Sequence, residues 1–254
     1  MKLKTVISVV LLSVSVFSSI LLPQEMNVEA KKLLLVADSL TKAEDYQNAI
    51  MTYDQALTIS NDYRIYFQKS IAQKKGQELE GARTSLEECL KLKNDFDPAY
   101  NALGIVEFSL GNFQAAKTNF EKYLTLSTKE ETNKSVKKNL SITYYKLSVE
   151  EISKADTVTA FEYLNKSVEF DNYDATYLSL AKLYAGKGEW DKSISASESA
   201  LKYKSKITIG GPYFYMGVAY KGKGDISKAK EMFETAKQDP TYTKNAEYEL
   251  NQLK

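Results

Sequence analysis

Residues 111–124 read GNFQAAKTNFEKYL, residues 188–201 read GEWDKSISASESAL and residues 224–237 read GDISKAKEMFETAK. Each stretch begins with Gly and carries Phe, Trp or Ile two residues later. Each then steps through mostly small or apolar residues at intervals of 3 and 4. Aligned on the small residue, the copies sit on Ala116, Ser193 and Ala229. Phe120, Ser197 and Phe233 follow four residues later, and Tyr123, Ala200 and Ala236 three later again. Three further copies fit the same ruler: Ala49, Tyr53, Ala56; Ala82, Leu86, Cys89; and Ala160, Leu164, Ser167. Spacings of 4 and 3 keep side chains on one face of an α-helix. Each copy therefore predicts an amphipathic helix with small residues where another backbone comes close.

Upstream of each copy lies a second helical pattern, such as Tyr100, Leu103, Gly104, Phe108 or Tyr213, Met216, Gly217, Tyr220. Gly111-Asn112, Gly188-Glu189 and Gly224-Asp225 stand between the two patterns, where Gly ends a helix. The unit is thus helix–turn–helix. The small positions of the first helices are read at 37, 70, 104, 141, 181 and 217, at intervals of 33, 34, 37, 40 and 36. The fourth unit is long: Ser141 to Ala160 is 19 residues, against 12 from Gly217 to Ala229. A surplus of seven is close to two turns at ~3.6 residues per turn. It predicts a longer first helix with its buried face unrotated. The surplus is read either as drift in a tolerant loop or as a projecting corner near residues 146–157. Residues 241–254, TYTKNAEYELNQLK, place Ala246, Leu250 and Leu253 on one face and read as a terminal capping helix.

This pattern resembles the tetratricopeptide repeat, a family of 34-residue helical hairpins. The family pattern runs aromatic, Leu-Gly, Tyr, then Ala, Phe, Ala, then Pro. The sixth unit carries most of it as Tyr213, Met216-Gly217, Tyr220, Ala229, Phe233 and Ala236, with Asp239-Pro240 one residue early. The second unit is the weakest, with Lys69-Ser70 and Gln73 in place of Leu-Gly and Tyr. The resemblance implies an all-α fold, an α-solenoid of stacked hairpins. Repeats are expected near 31–62, 63–96, 97–133, 134–173, 174–209 and 210–240, with a cap at 241–254. A hairpin of this size cannot bury its apolar face alone, so each repeat serves as its neighbour's core.

Composition narrows the function. The chain of 254 residues is 43% hydrophobic, enough for a real core, and its net charge of +1 offers no basic stripe for nucleic acid. It has no histidine and one cysteine, Cys89, so the commonest general base and metal ligand are absent and no intrachain disulfide forms. Neither G-x-S-x-G nor a phosphate-binding loop is present, and KGKGD (221–225) sits in a turn between helices. Asp95 and Asp97 open a segment that fails a calcium loop at Ala99 and Val106. No catalytic, metal or cofactor site is expected. At the N-terminus, Lys2 and Lys4 precede the uncharged run Thr5–Leu22, and Val28-Glu29-Ala30 has small residues at the −3 and −1 positions of a cleavage site. Residues 1–30 thus read as a signal peptide cleaved after Ala30, or as an uncleaved membrane anchor through 5–22. The expected location is exported, periplasmic or at the cell envelope.

Function then falls to the surface that the stack creates. In the family the first helices line the concave side. The resemblance places Phe67, Ile71, Asn101, Ile105, Phe108, Lys138, Ile142, Tyr145, Leu178, Lys182, Phe214, Val218 and Lys221 in that groove. It would be an apolar and aromatic trough with lysines toward its C-terminal half, suited to a peptide or protein partner. The alternative is that several of these residues are core between repeats. The first-helix positions that clamp a terminal carboxylate in some family members are here Leu34, Asp38, Gln68, Pro98 and Ala102. A second frame gives Asn101, Ile105, Asn139, Ala175 and Ser179. Neither supplies cations, so no such clamp is expected. The reading is a non-catalytic scaffold of the cell envelope, with self-association into a homo-oligomer as the alternative.

Overall fold

The computed structural model describes residues 25–254. Six helical hairpins follow one another: α1 (Val28–Lys42) with α2 (Tyr46–Ile59), α3 (Tyr63–Lys75) with α4 (Leu79–Leu92), and α5 (Asp97–Ser109) with α6 (Phe113–Leu126). Then come α7 (Glu130–Ser153) with α8 (Thr157–Phe170), α9 (Asp174–Gly186) with α10 (Trp190–Lys202), and α11 (Gly210–Gly222) with α12 (Ile226–Ala236). A final helix, α13 (Thr243–Gln252), closes the stack. The two helices of each hairpin pack most closely on each other, and the second helix packs next on the first helix of the following hairpin. The chain is an all-α solenoid with a C-terminal capping helix.

The corners share one geometry, set by a close approach. In the third hairpin a Cβ on Gly104 would lie 2.6 Å from the Phe120 ring, and in the sixth a Cβ on Gly217 would lie 2.6 Å from Phe233. Only a very small residue lets the helices approach this far, and the ring fills the gap beside it. Counted from this small position, the first helix ends five residues on and the second begins nine on. The residue seven on has positive φ in every hairpin: Glu44, Gln77, Gly111, Ala155, Gly188 and Gly224. Glycine adopts that conformation freely, whereas Glu44, Gln77 and Ala155 hold it against their Cβ. The aspartate immediately before α2, α8 and α12 caps the helix: Asp45, Asp156 and Asp225 accept from the backbone N–H of the third helical residue, Asn48, Thr159 and Lys228.

This geometry corrects the fourth unit. The count that holds from Ala37, Ser70, Gly104, Ala181 and Gly217 starts there from Ser148, not Ser141. Both serines are fully buried. Ser141 instead meets the far end of α8, with its Oγ 3.0 Å from Ser167 Oγ. The corner at Ala155 is therefore an ordinary one and does not project. The extra helix is at the other end. α7 begins 18 residues ahead of Ser148, where α3, α5, α9 and α11 begin seven ahead of their small residues. At 1.5 Å per residue that is about 16 Å of additional helix. It stays attached because Val136 and Leu140 bury themselves in one cluster with Ala116, Phe120 and Tyr123 of α6.

The core is shared between neighbours throughout. Ala82, Leu86 and Cys89 of α4 pack with Ala99, Leu103 and Val106 of α5. Ala229, Phe233 and Ala236 of α12 pack with Ala246 of α13, against which Leu250 and Leu253 lie half-buried. Full burial of one such Leu or Phe contributes about 1.5–3 kcal/mol. The weak second unit compensates in polar fashion: buried Gln73 accepts from Ser85 Oγ at 2.6 Å, joining α3 to α4. Two buried carboxylates fasten the last hairpins. Asp174 accepts from the backbone N–H groups of Ser205, Lys206 and Ile207 at 2.6, 2.5 and 3.0 Å. Asp239 accepts from Gly210 N–H at 3.1 Å.

The N-terminal reading is also corrected. Val28, Glu29 and Ala30 form the first turn of α1, capped by Asn27, whose Oδ1 accepts from Glu29 and Ala30 N–H at 2.8 and 3.3 Å. Ala30 is fully buried beside Ala37, Tyr53 and Ile65, which explains its size without a cleavage site. Among the described residues no helix is long and apolar enough to cross a membrane. The expected exported, periplasmic or cell-envelope location is thus not upheld, since no described helix supplies a membrane span. The apolar run 5–22 lies outside the described residues.

Candidate partner-binding groove

Within one layer, adjacent hairpins meet most closely through odd-numbered helices, α1 with α3, α5 with α7 and α9 with α11. The expected groove residues lie on α3, α5, α7, α9 and α11 of that layer. The structure brings the N-terminal part of the set together. Phe67, Ile71, Asn101 and Ile105 line one pocket across α3 and α5, of about 340 Å³. Ile105, Phe108 and Ile142 line a second, across α5 and α7, of about 130 Å³. Tyr145 lies farther along α7, its ring edge-on to Tyr173 at 5.2 Å, and burial pushes its phenol above the usual tyrosine range.

The C-terminal part of the set is differently placed. Phe214 packs on Tyr215, Phe233 and Tyr242 at 5.4, 5.6 and 5.6 Å, and Val218 joins the same cluster with Leu250 and Leu253. Lys221 is tied to Glu249 of the capping helix at 2.6 Å. Leu178 reaches across to α11, where a Cβ on Gly211 would lie 3.0 Å from its methyls. Lys182 is exposed on α9. Lys138 is exposed too, but it sits ten residues ahead of Ser148, on the extension of α7 rather than at a repeat position.

Four residues escaped the sequence reading. With Ser148 as the small residue, Val149 and Ile152 occupy the groove positions of the fourth hairpin, and Val149 is 42% exposed. The 12-residue step from small residue to Ala160, constant in the other units, is the signal that identifies them. Lys74 and Lys129 line the pocket with Phe67 and Asn101. Lys129 arrives there because α7 starts early, which no local pattern announces. Asn101 Oδ1 is buried without a hydrogen-bond partner among the described residues.

Cys89 is fully buried, and burial pushes its thiol up to about 12, which keeps it protonated and unreactive. Among the described residues no three His, Cys, Asp or Glu side chains come together to hold a metal ion.

Comparison with known proteins agrees with the hairpin geometry. Residues 63–96, 97–130 and 212–238 match the tetratricopeptide repeat family model. These three hairpins are tetratricopeptide repeats. The match includes the second unit, the one whose motif residues depart furthest. A stretch of 117 residues of this chain is 26% identical to the heat shock protein STI1 of Saccharomyces cerevisiae. That alignment takes in 45% of this chain and only 19% of STI1. Among solved structures, YrrB, described as a TPR protein with an unusual peptide-binding site, is 21% identical with a TM-score of 0.52, over 77% of this chain and 96% of that one. The C-terminal part of a TPR repeat-containing protein from Cytophaga hutchinsonii is 17% identical with a TM-score of 0.53, over 81% and 78%. These two likenesses concern the fold alone.

Proposed function

We propose that the chain is a non-catalytic interaction scaffold in which all six hairpins act as tetratricopeptide repeats. The partner, a peptide or protein segment, lies across α3, α5 and α7. Tetratricopeptide repeats as a family mediate protein–protein interaction. The observation that carries the reading here is the pair of adjoining pockets along α5, lined by Phe67, Ile71 and Ile105 on one side and by Ile105, Phe108 and Ile142 on the other. With Tyr145 and Val149 beside them, these residues receive the partner's side chains. Leu178 and Lys182 continue the surface, whereas Phe214, Val218 and Lys221 serve the cap.

The test is crosslinked capture from native extract with the wild type and with Ile105→Asp/Ile142→Asp, helix content being checked by circular dichroism. A partner held by the wild type and lost from the folded variant supports the groove; equal capture by both overturns it. Self-association is the second reading, favoured by the outer face of α1, where Val28, Leu35 and Val36 are 72, 60 and 52% exposed. Light scattering over a concentration series decides it. A dimer that Leu35→Lys/Val36→Lys dissolves supports this reading, and a monomer throughout rejects it.

A further inference from the structure

The two pockets at the centre of the groove share Ile105 but differ in chemistry. The α5–α7 pocket is walled by Ile105, Phe108, Phe120 and Ile142, with Ser109 and Asn139 as its polar members. Its volume is about 130 Å³. An apolar cavity of about 150 Å³ stays dry and takes a benzene-sized guest. The neighbouring pocket, toward the start of α5, carries Lys74 and Lys129 against a single carboxylate, Asp97, and holds the unpaired Asn101. Its local balance is therefore positive, in a chain whose overall charge is nearly zero. Both pockets depend on the early start of α7, which brings Asn139 of the helix to one and Lys129, the residue before its first turn, to the other.

We infer that the paired pockets read a two-point motif: a phenyl- or isobutyl-sized side chain in the apolar pocket, and a carboxylate side chain two residues away against Lys74 and Lys129. The inference rests on the groove reading and adds the partner's chemistry to it. The spacing follows from α5. The α5 residues that line the two pockets are centred about seven residues apart along that helix, about 10 Å at 1.5 Å per residue. Side chains two apart on one face of an extended chain are separated by about 6.6 Å, and the length of a lysine side chain covers the difference. Of the three lysines that the resemblance places in the groove, Lys138 is off the repeat frame, Lys221 is paired with Glu249, and Lys182 lies exposed on α9, away from both pockets.

The experiment uses the full chain with isotope-labelled isoleucine methyls and three pentapeptides blocked at both ends: Ser-Glu-Ser-Phe-Ser, Ser-Gln-Ser-Phe-Ser and Ser-Glu-Ser-Ala-Ser. Both Phe peptides are expected to shift the methyl signals of Ile105 and Ile142, and the Ala peptide to leave them in place. At low salt the Glu-Phe peptide should bind about three-fold more tightly than its Gln counterpart, the factor that partly exposed ion pairs supply. High salt, or Lys74→Gln/Lys129→Gln, should bring the two to equal affinity. Equal binding of the Glu and Gln peptides at low salt overturns the carboxylate contact. Unmoved Ile105 and Ile142 signals, or shifts by the Ala peptide as large as those by Phe, overturn the apolar anchor. Any of these leaves the capture result untouched, so failure of the motif is distinguishable from failure of the groove.

Discussion

Replacing Asp174 by alanine should loosen the joint between the fifth and sixth hairpins. The carboxylate is fully buried and accepts from three successive backbone N–H groups of the α10–α11 connection. Hydrogen bonds to a charged group contribute about 1.5–3 kcal/mol each. Ser205 and Lys206 lie in an exposed stretch, where water replaces part of what is lost. The expected cost is about 2–4 kcal/mol rather than the sum of three strong bonds. Burial pushes the Asp174 carboxyl upward, but the N–H groups of Lys206, Ser205, Ile207 and Ala175 outweigh it and hold it below the usual range. A carboxylate depressed in this way stabilises the fold fully above its unfolded value, near 3.9. It loses that contribution as pH falls through the folded value. The gap between wild type and Asp174→Ala should thus be constant from neutral pH down to about 5 and shrink below about 4. Urea unfolding across that range measures it. Hydrogen exchange of residues 203–209 at neutral pH should be accelerated about 30-fold or more. A variant within about 0.5 kcal/mol of wild type, or a gap that persists undiminished in acid, would refute the reasoning.

Two glycine experiments probe the packing. Gly104→Ala places a Cβ 2.6 Å from the Phe120 ring and should cost about 1–3 kcal/mol, whereas Gly186→Ala, with nothing within 4 Å, should stabilise by up to about 1 kcal/mol; urea midpoints compare them. Ala155→Gly relieves a φ of 62° and should gain about 0.5 kcal/mol after the entropy of the unfolded chain is set against it, provided the fourth corner is the ordinary turn described above; thermal unfolding reads the sign.

The second helices were legible residue by residue. The step from Ala116 to Phe120 to Tyr123 recurs in all six, because a close helix crossing demands small and large residues at fixed offsets. Corners were legible where glycine marked them, at 111, 188 and 224. They were hidden at 44, 77 and 155, where other residues hold the same positive φ. The fourth unit misled because Ser141 and Ser148 are seven residues apart, nearly two turns, so both fall on one buried face. Phe67, Ile71, Asn101, Ile105 and Phe108 followed from the repeat frame, whereas Ile142 was reached from Ser141 and lines the α5–α7 pocket from off that frame. The groove's cations did not follow from it: Lys129 reaches the pocket through the early start of α7, and Glu249 neutralises Lys221 from 28 residues away. Neither contact leaves a local trace in the sequence.

Site-specific photocrosslinking addresses the groove most directly. A benzophenone side chain is placed at Val149 on the odd-numbered layer, and separately at Gln114, exposed on the even-numbered α6. If partners lie across the odd-numbered layer, position 149 yields a defined crosslinked species that position 114 does not. Crosslinks from 114 with none from 149 would contradict that placement and move the binding surface to the outer layer.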